Sequence, residues 1–117
     1  MDFVKLHEHI LDLDPKIRFA TIFDTSGKIV QSGHREGLTS ILSKGESKKS
    51  INEILNSHEV HEDLSNKYGR EKYSIGVYEQ IVRIIIPLDK KHILYVTTDV
   101  DIEPFSVIAK LTKLIQK

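Results

Sequence analysis

The chain has no cysteine among its 117 residues. That absence removes disulfides, thiolate nucleophiles and cysteine-type zinc centres together, and it suits a reducing cytoplasm. Protein-based redox chemistry is left to Met1 alone. Charge of one sign is missing too: 17 basic and 17 acidic side chains cancel to a formal net charge of zero. No overall field therefore draws the protein to a phosphate backbone or an anionic membrane, and nucleic-acid binding is not expected. Long apolar runs are also lacking. The longest, Ile81 to Leu88, is interrupted by Arg83 and falls far short of the ~20 residues of a spanning helix, so membrane insertion is not expected. The opening residues, Met1 to His9, carry charge from the start and have neither an apolar core nor a small-residue cleavage site, so no export signal is expected and the location is expected to be cytoplasmic.

What is present is enough for one domain spanning 1–117, with 39% hydrophobic residues; a chain of this size buries roughly two-thirds of the surface its unfolded form exposes. Its clearest signal is a meander over 73–98. Tyr73-Ser-Ile-Gly-Val-Tyr78, Ile81-Val-Arg-Ile-Ile-Ile-Pro-Leu88 and His92-Ile-Leu-Tyr-Val-Thr-Thr98 are rich in β-branched and aromatic residues, and are separated by the polar breaks Glu79-Gln80 and Asp89-Lys-Lys91. Such side chains pack well on a pleated surface and lose rotamer freedom in a helix.

Upstream, Phe3, Leu6, Ile10 and Leu13 recur at helical spacing, and Pro15 disfavours helical geometry at Asp14, so residues 1–14 are expected to form a helix. Residues 17–32 read as a hairpin turning at Asp24-Thr-Ser-Gly27. In its first strand, alternation places Ile17, Phe19, Thr21 and Phe23 on one face and Arg18, Ala20, Ile22 and Asp24 on the other; both faces are largely apolar and should both be covered. Leu38 to Leu42 is a short passage of uncertain form, and Ser43-Lys-Gly-Glu-Ser-Lys-Lys-Ser50 reads as a mobile loop. Residues 50–68 form a helical connection, continuous or in two pieces, because Ile51, Ile54, Leu55, His58 and Glu62 share one face while Ser57, Val60 and Leu64 lie nearly opposite. A last helix over 103–116 follows Asp99-Val-Asp-Ile-Glu-Pro104, with Lys110, Lys113 and Lys117 towards its negative end. The fold class expected is α+β: a five-stranded antiparallel sheet flanked by helices, in the order α-β-β-α-β-β-β-α.

This arrangement resembles the Roadblock/LC7 and longin-type domains of the broader profilin-like group. The resemblance spans nearly the whole chain and is most visible in Phe19-Ala-Thr-Ile-Phe-Asp-Thr-Ser-Gly-Lys-Ile-Val30 and in Ile84-Ile-Ile-Pro-Leu-Asp-Lys-Lys-His-Ile-Leu-Tyr-Val96. Lys16-Ile-Arg-Phe-Ala20 and the Tyr73-to-Leu88 pattern also resemble small uncharacterised archaeal proteins. The resemblance implies dimers, scaffolding and regulation of small Ras-like GTPases, by analogy of fold. An added N-terminal helix and an irregular central helix depart from the family's pattern.

Chemical signatures are weak. His58 and His61, at i and i+3, sit close enough on a helix to share a metal, but a zinc site needs three or four ligands and His7, His9, His34 and His92 have no spacing that guarantees convergence. The His58-Glu59 pair does not start an H-E-x-x-H motif, which needs its second histidine at i+4. Gly45-Glu-Ser-Lys-Lys-Ser50 lacks the second glycine of a phosphate-binding loop, Lys48 standing in its place. Arg83 reads as half of a structural ion pair and Lys90-Lys-His92 as a solvated turn. No G-x-S-x-G elbow presents a serine nucleophile. The reading is a non-enzymatic regulatory or interaction module without a cofactor, a homodimer or small-GTPase regulator, with Tyr73, Ile75 and Val77 as interface residues if their strand ends the sheet. The other reading is a PAS- or GAF-like small-molecule sensor with its ligand between the sheet and the 33–68 connection.

Overall fold

The computed structural model describes residues 2–39 and 41–116. Met1, Ser40 and Lys117 lie outside the described residues, so the expectations of a lone oxidisable side chain, of part of the 38–42 passage and of a terminal lysine at the last helix fall there.

Asp2 caps the first helix, α1 (Phe3–Leu13), by accepting from the amides of Val4 and Lys5 at 3.1 and 3.2 Å. The helix stops where Asp14 turns extended ahead of Pro15. Strands β1 (Ile17–Asp24) and β2 (Ile29–His34) form the hairpin. At its turn the Asp24 carboxylate accepts from the Ser26 hydroxyl at 2.6 Å and from the Ser26 and Lys28 amides at 2.9 and 3.0 Å. Gly27 there adopts φ +91°, a left-handed geometry that glycine reaches without a Cβ penalty. Helix α2 (Lys44–Tyr68) leads to β3 (Ser74–Val77), β4 (Val82–Pro87), β5 (His92–Thr98) and α3 (Pro104–Ile115). Glu103 caps α3 by accepting from the Ser106 amide at 3.0 Å, with Pro104 in the first turn, where no intrahelical donor is lost.

The five strands make one antiparallel sheet in the order β2-β1-β5-β4-β3. The α+β architecture and element order are those expected from the sequence. The hairpin docks onto the meander through β1 and β5, which therefore sit in the middle and are covered on both faces. On one side Leu6 and Ile10 of α1 and Val107, Ile108 and Leu111 of α3 pack on Ala20, Ile22, Ile84, Leu94 and Val96. On the other, Ile54 of α2 packs with Phe23, Ile85, Ile93 and Tyr95, with Phe19, Ile51 and Leu55 at the margin.

Three expectations change. Strict alternation put Ile17 with Phe19, but the β1–β5 register shifts between those two residues, and Ile17 joins the cluster under α1 and α3 while Arg18 turns to the α2 side. The stretch from Ser43 to Ser50 is not a loop: α2 begins at Lys44 rather than at 50, and it runs unbroken to Tyr68. Its cause is a capping box, in which the Ser43 hydroxyl accepts from the Glu46 amide at 3.2 Å and the Glu46 carboxylate accepts from the Ser43 amide at 3.0 Å. Strand β3 is shorter than the meander pattern implied, leaving Tyr73 and Tyr78 just outside it.

One side chain missed in the sequence closes the frame. Arg35, just after β2, donates from Nε to the Ile17 carbonyl at 2.8 Å and from its guanidinium to the carbonyls of Asp14, at 2.8 Å, and Leu11. Helix α1 has no basic residue in its own last turn; Arg35 supplies the donors that its final carbonyls lack.

Candidate functional site

Among the described residues strand β3 has β4 on one side and no strand on the other, so it is an edge of the sheet. Tyr73 and Val77, two of the three candidate interface residues, are exposed, Val77 by 73%. The third, Ile75, pairs with Ile84 and rests against the α1/α3 cluster, so its side chain already has a structural task.

The helix beside this edge is unusual for its length. Over 25 residues α2 fully buries only Ile54, whereas α1 and α3 bury three residues each in 11 and 12. Val60, Leu64 and Tyr68 recur every fourth residue and all three are exposed, Tyr68 by 82%. Together they leave an uncovered apolar stripe on α2.

Between α2 and β3–β4 lies a small cavity of about 70 Å³ lined by residues that include His58, His61, Glu71 and Arg83. His58 Nε2 stands 3.8 Å from Glu62, and His61 Nδ1 contacts the Glu71 carboxylate without a hydrogen bond of ordinary geometry. The two histidines thus each face a separate carboxylate, and among the described residues no three His, Asp or Glu side chains converge on a metal-sized point. Arg83 spans the inner wall, 3.4 Å from Glu53 and 5.6 Å from the Tyr78 ring centre, an ion pair backed by a cation–π contact.

A larger groove of about 730 Å³ opens between the β1, β2 and β5 face of the sheet, the residues Leu38, Thr39, Ile41 and Leu42, and the first turns of α2. Tyr95 stands in its floor, where burial pushes the phenol above its ordinary pKa while a hydrogen bond with Ser50 partly offsets the shift. No element announces this groove in the sequence, because its lining comes from six separate stretches of the chain. The one available signal was Ser43-Lys-Gly-Glu46, a capping-box spacing that places Lys44, Ser47, Lys48 and Ile51 on a helix. Among the described residues no helix is long and apolar enough to cross a membrane.

A family model described as a family of unknown function (DUF6659) matches residues 4–117. No curated protein matches the sequence. Solved structures do match in shape. A Roadblock/LC7 domain from Streptomyces avermitilis superimposes with a TM-score of 0.72 at 8% identity, covering 99% of this chain and 92% of that one. MglB from Myxococcus xanthus gives 0.74 at 11% identity, with 99% and 93% covered, and the gliding protein MglB from Thermus thermophilus gives 0.67 at 11%, with 97% and 87% covered. At such identities the likeness establishes the Roadblock/LC7 fold and nothing finer.

Proposed function

The chain belongs to the DUF6659 family, and we propose that it is a non-enzymatic regulatory or interaction module that works as a homodimer. The observation that supports this most is the pairing of an open β3 edge with the exposed Val60, Leu64 and Tyr68 stripe on the under-packed α2. A two-fold partner would add strand to strand across β3 and bury the two stripes on each other, satisfying backbone groups and apolar surface in one step. Another MglB structure is described as having a tetrameric arrangement, an assembly of that protein which makes self-association a reasonable expectation for this fold. The Roadblock resemblance suggests a small GTPase as a protein partner for the assembled module.

The test is sedimentation velocity across a wide concentration range, on the parent and on a Val77→Lys, Leu64→Lys double variant. Both side chains are exposed, so the variant should fold, and the proposal expects a dimer in the parent and a monomer in the variant. A parent that stays monomeric, or a variant that stays dimeric, refutes it. A second reading, a PAS- or GAF-like sensor module, is supported by the groove of about 730 Å³ beside the helical connection.

A further inference from the structure

The charge lining the large groove does not follow the composition of the chain. Acidic and basic side chains are equal in number overall, yet no described carboxylate lines the groove, while Arg18, Lys44 and Lys48 do. Arg18 is already committed, its guanidinium donating to Asp99 at 2.9 Å. Lys44 and Lys48 form no ion pair with any described carboxylate. They sit at i and i+4 beside Ser47 on the groove side of α2, within or next to its first turn, where the helix dipole adds positive potential.

The surface of the lining is mostly apolar, although hydroxyls of Thr21, Ser32, Ser50 and Thr97 also belong to it. Phe19 stands at the centre, its ring 4.5 Å from His34 and 6.1 Å, edge-on, from Tyr95. Ile29 and Ile41 flank the opening with more than half of their surface exposed. A largely apolar trough with two lysines that pair with no described carboxylate, and no described anion in its lining, matches one class of ligand: a long apolar body ending in a single negative charge. A neutral lipid would gain nothing from the two exposed lysines, and a cation would meet like charge. A polyphosphate would forgo the aromatic floor. It would also find the Glu46 amide already bonded to Ser43.

We propose that this groove binds a medium-chain fatty carboxylate, its chain lying on Phe19 and Tyr95 and its carboxylate at Lys44 and Lys48. The volume of about 730 Å³ falls within the range of small-molecule sites. The proposal takes its location from the sensor reading and does not depend on pairing through β3.

The experiment is a titration of the ¹⁵N-labelled full chain, followed by NMR, with decanoate, decanol and decyltrimethylammonium, each below its micelle concentration. Decanoate should shift the amides of Thr21, His34, Ser47 and Tyr95 saturably. Decanol should bind about tenfold more weakly, and the cation more weakly again, as expected for two lost exposed charge contacts. Lys44→Glu with Lys48→Glu, two exposed positions, should lower decanoate affinity about tenfold or more and leave decanol unchanged. Ser32→Trp, at an exposed wall position, should fill the trough and remove both. Equal affinity for decanoate and decanol, an unaffected double variant, shifts outside the groove, or no saturable binding would each overturn the proposal. Sedimentation of the same samples separates its failure from failure of the dimer.

Discussion

Replacing Arg35 by alanine removes three hydrogen bonds from a charged donor, to the carbonyls of Leu11, Asp14 and Ile17. Bonds to a charged partner contribute ~1.5–3 kcal/mol each in the better cases. The site is only half-buried, so water can reach the abandoned carbonyls, and the total loss should be about 2–4 kcal/mol rather than the full sum. That is a large share of the ~5–15 kcal/mol that holds a typical domain. At roughly 4 °C per kcal/mol for a chain of this size, the melting temperature should fall by about 8–16 °C. Arg35→Lys keeps the charge but not the planar fork that reaches both α1 and β1, so it should recover less than half of the loss. Urea unfolding followed by far-UV circular dichroism measures these differences, with an unchanged m-value showing that the two-state reference holds. Arg70→Ala, at an exposed position, serves as the control and should stay within about 0.5 kcal/mol of the parent. If Arg35→Ala also stays within about 0.5 kcal/mol, or if lysine restores full stability, Arg35 is not the clamp described.

Ser43→Ala should cost about 1 kcal/mol and act locally, with faster amide exchange in the first turn of α2 and Glu46 titrating nearer the usual range once the Ser43 bonds that lower it are disturbed; unchanged exchange there would contradict the capping assignment. Asp24 is held below the ordinary carboxylate range by the Ser26 hydroxyl first and the Lys28 amide second. Its support of the hairpin is therefore complete above the ordinary Asp pKa and fades as pH falls through the lowered folded value. Ser26→Ala should move the Asp24 titration upward in carboxyl-detected NMR, and an unmoved curve would show that the hydroxyl is not its cause.

The elements that could be read in advance are those whose signal is local. Each meander strand, the Asp24 turn and the Pro104 start combines residue type with spacing inside a dozen positions, and the structure has three strands, a turn and a helix start there. The start of α2 is local in its signal yet looks like a loop, because the serines, lysines and Gly45 of the stretch mask it unless Ser43 and Glu46 are taken as a pair. The Ile17–Arg18 inversion could not be read at all: it depends on how β1 meets β5, and no property of β1 alone specifies a register shift. Arg35 is invisible for the same reason, since its three acceptors belong to other elements. Most of the groove lies in this category. Its floor, walls and cations come together only when the hairpin, α2 and β5 are in place.

The position of β1 beside β5 has a consequence for how the protein is made. The two strands at the centre of the sheet are separated in the chain by α2 and three intervening strands, so this pairing is among the last to become available during synthesis. A ribosome-bound chain can close the first hairpin early, but Phe19, Ile22 and Phe23 then wait without their β5 partners until His92 to Thr98 has emerged. Premature termination before that point does not trim an edge from the sheet. It removes the middle, leaving one hairpin from each half of the chain with no strand to join them.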